Sequence, residues 1–222
     1  MRPLLPLLSL LVLGSAASAA ESLSAVQLKV GQVPGADTSK VEAQDLLGGG
    51  LVSGESSLDP QTGLGVSLGL RAANLNDSGF GLSYEGNLFY RQHEGKDTTG
   101  TAELTAYGVE LGLDLAYAPV NDLLILAGPR VGLGVGNQST APEAGLQATL
   151  DDGMGYYLSY GLQAELSYTV ADHLMVGGYV GWMGFTATAG RDLNPASGAS
   201  GSMDSTLSGS GATYGAMVGY QF

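Results

Sequence analysis

Between Tyr156 and Val170 the chain alternates without a break. Tyr156, Leu158, Tyr160, Leu162, Ala164, Leu166, Tyr168 and Val170 fall on one side of an extended segment, and Tyr157, Ser159, Gly161, Gln163, Glu165, Ser167 and Thr169 on the other. A period of two marks a strand lying between two unlike environments. The split recurs over Ala102–Ala118, where Tyr107, Val109, Leu111, Leu113, Leu115 and Tyr117 oppose Ala106, Gly108, Glu110, Gly112, Asp114 and Ala116. It recurs again in the closing ATYGAMVGYQF, with Tyr214, Ala216, Val218, Tyr220 and Phe222 on one face. Read this way, the alternation predicts eight strands: Ser22–Val33, Gly63–Ala73, Gly79–Arg91, Ala102–Ala118, Asp122–Gly136, Tyr156–Val170, His173–Ala187 and Gly211–Phe222.

The connections narrow the fold class. NLND, PVN and AD are tight turns built from Asn, Asp and Pro, whereas Pro34–Thr62, Gln92–Thr101, Asn137–Gly155 and Thr188–Ser210 are long and rich in Gly, Ser, Thr and Asp. Long and short connections take turns, so eight strands running up and down place all the long ones at one end and the short ones, with both termini, at the other. That layout predicts an all-β, eight-stranded antiparallel up-and-down transmembrane β-barrel. A β-sandwich gives no reason to segregate connections by length. The first long connection also leaves room for a further hairpin, which would bring the count to ten, and its LLGGGLVSG would extend a strand beyond the bilayer.

Periodicity alone does not say which face is outside, because a soluble barrel alternates too. Composition does. A soluble sheet would carry Lys and Glu scattered over its outer face, yet the chain has only eight Lys and Arg in 222 residues. Lys29, Arg71, Arg91 and Arg130 fall within strands on the polar face, together with Glu85, Glu110, Asp114 and Glu165. The polar face is also rich in glycine, which lets long side chains fit a narrow tube; an eight-stranded lumen is just wide enough for side chains to fill. Along the apolar face the aromatic residues sit near the stripe ends with Leu and Val between, the order expected of two interfacial girdles bracketing hydrocarbon.

The N-terminal MRPLLPLLSLLVLGSAASAAE has a basic residue, an apolar run from Leu4 to Leu13 and small residues after it, and reads as a secretory signal over residues 1–20, cleaved near Ala19 or Ala20. Residues 21–222 are then the barrel domain. There is no cysteine, so no disulfide framework closes the exported protein. The 21 acidic residues, for a net charge of −13, exclude a nucleic-acid partner, which needs clustered Lys and Arg.

A signal sequence, eight alternating strands, long and short connections in turn and the closing YGAMVGYQF together resemble the small bacterial outer-membrane barrels of the OmpA, OmpX and OmpW kind. The resemblance implies residence in the cell outer membrane, with lipid around the wall. In that family the terminal aromatic, here Phe222, with Tyr220, Val218 and Tyr214 at alternate positions before it, is similar to the signal read by the barrel-assembly machinery. Full-length OmpA-type proteins carry a peptidoglycan-binding domain after the barrel; none follows Phe222 here, and a wall-anchoring role is not expected.

The candidate chemistry is sparse. Lys29, Arg71, Glu85, Arg91, Glu110, Asp114, Arg130 and Glu165 form a candidate lumen charge network, with Glu110, Asp114 and Glu165 expected to meet Arg130, Arg71 and Lys29 across neighbouring strands. Such pairs either neutralise charges confined in a tube or ring a narrow water path. His93, beside Glu94 at the outer end of a strand, stands where a lipid deacylase would keep a base, but such an enzyme also needs a nucleophile and an orienting acid, and no spacing singles out a serine. His173 reads as an exposed turn residue. The long connections carry Asp37, Glu42, Asp45, Glu55, Asp59, Glu94, Asp97, Glu143, Asp151, Asp152, Asp192 and Asp204 against Lys40, Lys96 and Arg191, an acidic rim without calcium-loop spacing. The expectation is therefore a non-enzymatic, structural or surface-interacting barrel, monomeric, without cofactor, metal or catalytic residues and with at most weak ion conductance. The alternatives are a small pore or transporter and, behind it, a lipid-modifying barrel enzyme.

Overall fold

The computed structural model describes residues 21–45, 51–98, 100–142, 153–192 and 201–222. Eleven strands follow in chain order: β1 (Glu21–Val33), β2 (Thr38–Asp45), β3 (Leu51–Ser57), β4 (Asp59–Gln61), β5 (Gly63–Leu75), β6 (Phe80–Asp97), β7 (Gly100–Val120), β8 (Leu123–Pro142), β9 (Gly153–Val170), β10 (Leu174–Asp192) and β11 (Gly201–Gln221). Antiparallel pairing runs from β1 through β5 to β11 in order, and β1 pairs back onto β11. The result is a closed ring of eight strands. Closure removes both sheet edges, the condition a strand must meet to cross hydrocarbon.

The three extra strands do not widen the ring. Gln32 pairs with Tyr214, and Thr38 pairs with Ser208, so six residues pass on each side and β2 continues the course of β1 in the same register along β11. On the neighbouring course β3 pairs with β2, β4 pairs with β6 at Gln61↔Glu94, and β5 resumes at Gly65↔Arg91. Four residues on one side against three on the other place a bulge at Thr62, where one strand holds an extra residue. The expected loop Pro34–Thr62 is thus the upper part of the first hairpin, and the count is eight rather than ten. Leu51 and its neighbours in LVSG do belong to a strand that runs past the apolar belt.

The other long connections shorten in the same way. Gln92–Thr101 is mostly strand, with Asp97 paired to Gly100. Asn137–Gly155 and Thr188–Ser210 contribute strand as far as Pro142 and Asp192 and again from Gly153 and Gly201. Above the membrane the outward face turns polar, so hydrogen bonding continues where the lipid-facing stripe stops. Glu143, Asp151 and Asp152 and the signal segment lie outside the described residues.

Between Pro34 and Asp37 the wall leaves its course. Val33, Pro34, Gly35 and Ala36 are buried in succession rather than alternately, and the Ala36 amide donates to the Glu94 carbonyl of β6 at 3.1 Å. A chain segment therefore dips into the outer mouth of the tube. Gly35 is confined there, since a Cβ would stand 2.0 Å from the Gln61 carbonyl oxygen.

One rung of the ladder is missing within the membrane. Gly112 pairs with Arg130 and Leu115 with Ala127, but nothing pairs Leu113 and Asp114 with Pro129 and Gly128. Proline has no N–H to give, and in a sheet interior it opens the ladder.

At the short-turn end, Ala171 and Asp172 both adopt left-handed backbone, with φ of 54° and 56°. They belong to the three-residue connection between the paired Val170 and Leu174, and left-handed backbone is the conformation a Cβ resists. Ala171→Gly is expected to raise the unfolding free energy by about 0.5–1 kcal/mol, after the greater freedom of glycine in the unfolded chain is counted. Urea titration of the barrel in lipid vesicles measures it; an unchanged midpoint would mean the turn carries no strain.

Candidate functional site

The polar face of every membrane-crossing strand points into the tube and the apolar face points out. Leu115 is 72% and Leu162 63% exposed, while Glu85 is 1% and Asp114 0% exposed. No soluble protein of this size leaves such a complete apolar surface to water. Tyr107 and Tyr117 bound the stripe of β7, and ten residues at about 3.3 Å each, tilted by about 40°, make a belt about 25 Å tall. Phe80 and Tyr117 stack at 4.3 Å on one rim, and Tyr160 and Trp182 meet at 5.8 Å toward the other.

The lumen is filled in layers. Near the short turns, Leu75, Ala116, Leu124 and Leu126 pack as one apolar cluster, and Ala25, Met175 and Met217 as another. The charges come next. Glu85 of β6 is the hub: Lys29 Nζ donates to it at 2.6 Å, Arg71 at 3.0 Å and Arg130 at 3.4 Å. Glu165 of β9 forms ion pairs with Lys29 at 2.9 Å and with Arg71 at 2.5 Å. Arg130 also grips Asp114 with both terminal nitrogens, at 2.7 and 3.0 Å. This clamp joins β7 to β8 at the rung that Pro129 leaves open. The guanidinium fits because Gly112 lies beneath it; a Cβ there would stand 2.4 Å from Arg130 Nη1.

Arg130 meets Asp114 across the neighbouring β7 and β8, whereas Arg71 and Lys29 reach Glu165 across the lumen, from strands that are not its neighbours. Glu110 departs from the expected partners. Its partner is Arg91, whose other terminal nitrogen donates to Ser159 Oγ at 2.8 Å and whose guanidinium lies 4.4 Å over the Phe89 ring. Four cations and four carboxylates therefore balance, all of them buried. A cavity of about 40 Å³ remains beside Lys29, Arg91, Glu110 and Tyr179.

His93 closes the layer above. The Pro34 carbonyl can only accept, so Nδ1–H donates to it at 2.7 Å, which leaves Nε2 to accept from the Tyr157 hydroxyl at 3.0 Å. The imidazole also stacks on Phe185 at 3.8 Å and is 1% exposed. Both nitrogens are in use, and the ring packs as part of a plug. Its parity along β6 matches that of Glu85 and Arg91, and this inward signal was present in the sequence. Above it, Ala36, Leu58, Ala102, Leu104, Ala106, Ala187 and Leu207 form a dry core beyond the aromatic rim, crossed by Gln138 and Ser205, which bond each other at 2.7 Å. This continuation has no counterpart in the strand pattern, since Ala and Gly do not announce a buried face.

Tyr214, Val218, Tyr220 and Phe222 line the outer face of β11, and the Phe222 amide donates to the Ser24 carbonyl of β1 at 2.9 Å. On the projecting hairpin, Glu42 lies 2.6 Å from Lys40; its hydrogen bond and charge raise the pKa of the ammonium. His173, at a short turn, bonds the Gln221 carbonyl through Nδ1 at 3.0 Å. Among the described residues no cluster of His, Cys, Asp and Glu is arranged to hold a metal.

A ring of eight antiparallel strands with an apolar belt, aromatic rims, a polar lumen and short turns at one end defines an integral outer-membrane β-barrel. No family model matches the sequence, and no curated protein matches it. Several solved structures are similar. The outer membrane protein OprG of Pseudomonas aeruginosa shares 16% identity over 91% of this chain and 97% of that one, with a TM-score of 0.46. Neisserial surface protein A, NspA, shares 13% over 90% and 97%, with a TM-score of 0.37. Ail, the attachment invasion locus protein of Yersinia pestis, shares 12% over 91% and 99%, with a TM-score of 0.40.

Removing the hub leaves three buried cations short of a partner. Glu85→Ala is expected to lower the unfolding free energy by about 3–5 kcal/mol. The pair Glu85→Ala with Lys29→Met is expected to lose less than the sum of the two single changes. Urea unfolding of the four proteins in vesicles checks both statements.

Proposed function

We propose that this chain is a non-enzymatic, sealed outer-membrane barrel that anchors a projecting acidic β-structure at the cell surface. The observation that carries the reading is the closure of the lumen. Apolar side chains fill the short-turn end, a neutral charge network fills the middle, and His93, Tyr157 and Phe185 under the Pro34–Ala36 dip fill the outer mouth. A conducting ring needs a continuous water path, and among the described residues the packed layers leave a cavity of about 40 Å³ beside Lys29 and Arg91. The charges in this reading hold the strands together rather than select ions.

Residues 1–20 direct export and are removed, leaving 21–222 as the barrel domain. Tyr214, Val218, Tyr220 and Phe222 present the assembly machinery with a bare aromatic stripe before β11 closes on β1. The finished barrel is monomeric, since closure leaves the membrane-spanning wall no free edge. Its partners are outer-membrane lipid and whatever meets the acidic surface. No cofactor or nucleic acid enters.

Purified barrel, shown to be inserted by its heat-dependent gel migration, is expected to give no stable current steps in a planar bilayer. Reproducible single-channel steps that vanish in Arg130→Gln or Glu110→Gln would replace this reading with that of a pore.

A further inference from the structure

The outer wall of a barrel is convex, yet here it carries a hollow. Where the Pro34–Asp37 dip and the Thr62 bulge interrupt adjoining courses, a groove of about 460 Å³ opens on the outside across β1, β5, β6 and β7. Its exposed or half-buried side chains are Gln32, Thr62, Leu64, Gln92, Glu94, Glu103 and Thr105, and Gly63 and the buried His93 and Leu104 complete its lining. By strand parity the strand residues among the seven point outward, and Thr62, at the bulge, is exposed. The chemistry is that of two amides, two carboxylates and two hydroxyls around one aliphatic side chain. Among the described residues the cation paired with it is Lys96, 3.1 Å from Glu94.

The groove's height is fixed by the tyrosines below it. The Tyr90 hydroxyl accepts a bond from Gln92 Nε2 at 2.8 Å, and the Tyr214 hydroxyl donates to Gln32 Oε1. Tyr107 stands opposite Tyr90 in the ladder. These rings form the outer aromatic rim, so the groove starts where acyl chains end and lipid headgroups begin. The same bonds hold the two amides in place before anything binds, which lowers the ordering cost of recognition.

Paired donors and acceptors without net positive charge suit a polyhydroxylated neutral ring and repel a phosphate. We propose that this groove binds the saccharide headgroup of an outer-leaflet glycolipid, with Gln32, Gln92, Glu103 and Thr105 bonding sugar hydroxyls and the first methylenes of the tail lying on Leu64. A free sugar has the same hydroxyls. The rim position, with Leu64 facing the bilayer, selects the tethered one. The inference rests on the outward apolar belt and not on whether the lumen conducts.

The test uses the folded barrel in lipid nanodiscs, with backbone amide chemical shifts read by NMR while dodecyl maltoside is titrated in. Saturable shifts at Gln92, Thr105 and Gln32 are expected, at least tenfold weaker in Gln32→Ala/Gln92→Ala. Dodecylphosphocholine and free maltose at the same concentrations should leave these amides unmoved. Equal shifts with the phosphocholine detergent, saturation by free maltose, or unchanged affinity in the double variant would each overturn the proposal. Both substituted positions are outward and partly exposed, so the variant retains the barrel, and its unperturbed lumen resonances verify this.

Discussion

Hydrogen-bond closure of the backbone is the constraint on which everything else in this molecule depends. In hydrocarbon no water is available to a free N–H or C=O, so β1 must find β11, and all the strands between must share one cylinder. Closure at eight strands then sets the bore. A tube of that width cannot be left to polar groups at random, because a long side chain needs a short one beside it on the neighbouring strand. Gly112 under Arg130 and Gly69 under Asn87 are cases of that matching. Filling the tube, in turn, decides what it can conduct.

The interior polar groups follow from the same closure. Charges placed on an inward face have no solvent, and the structure answers by sharing carboxylates: Glu85 serves cations from β1, β5 and β8. A shared carboxylate ties distant strands in a way an isolated pair does not. The clamp between Arg130 and Asp114 adds a local role, since it crosses the place where Pro129 withholds a rung. Thus a backbone defect in the wall and a side-chain contact in the lumen belong to one local solution.

The membrane-crossing parts were legible because their two faces meet unlike surroundings. All eight predicted strands are present, and their short-turn ends fall within about two residues of the pattern, while the outer ends run further. What escaped lies beyond the aromatic rims, where contrast vanishes. Residues Ser202 to Ser210, read as a connection, form strand because Ser205, Leu207 and Gly209 face a thin core of alanines while Thr206 and Ser208 face water. Small residues on both sides carry no periodic signal. The charge network was legible as a set but not in its pairing, because partners such as Glu85 and Arg130 sit on strands that are not neighbours. His93 shows a different failure: height along a strand suggested a mouth residue, whereas parity, the better guide, placed it among the buried ones.

The account stands or falls on the outer stripe meeting acyl chains. Trp182, the chain's one tryptophan, lies on that stripe beside Tyr160 and serves as its reporter. Its fluorescence should be measured in vesicles whose acyl chains carry bromine at defined depths. The account predicts strong quenching by bromine in the upper part of the chain and little by aqueous acrylamide. Emission untouched by brominated lipid and readily quenched from water would contradict it.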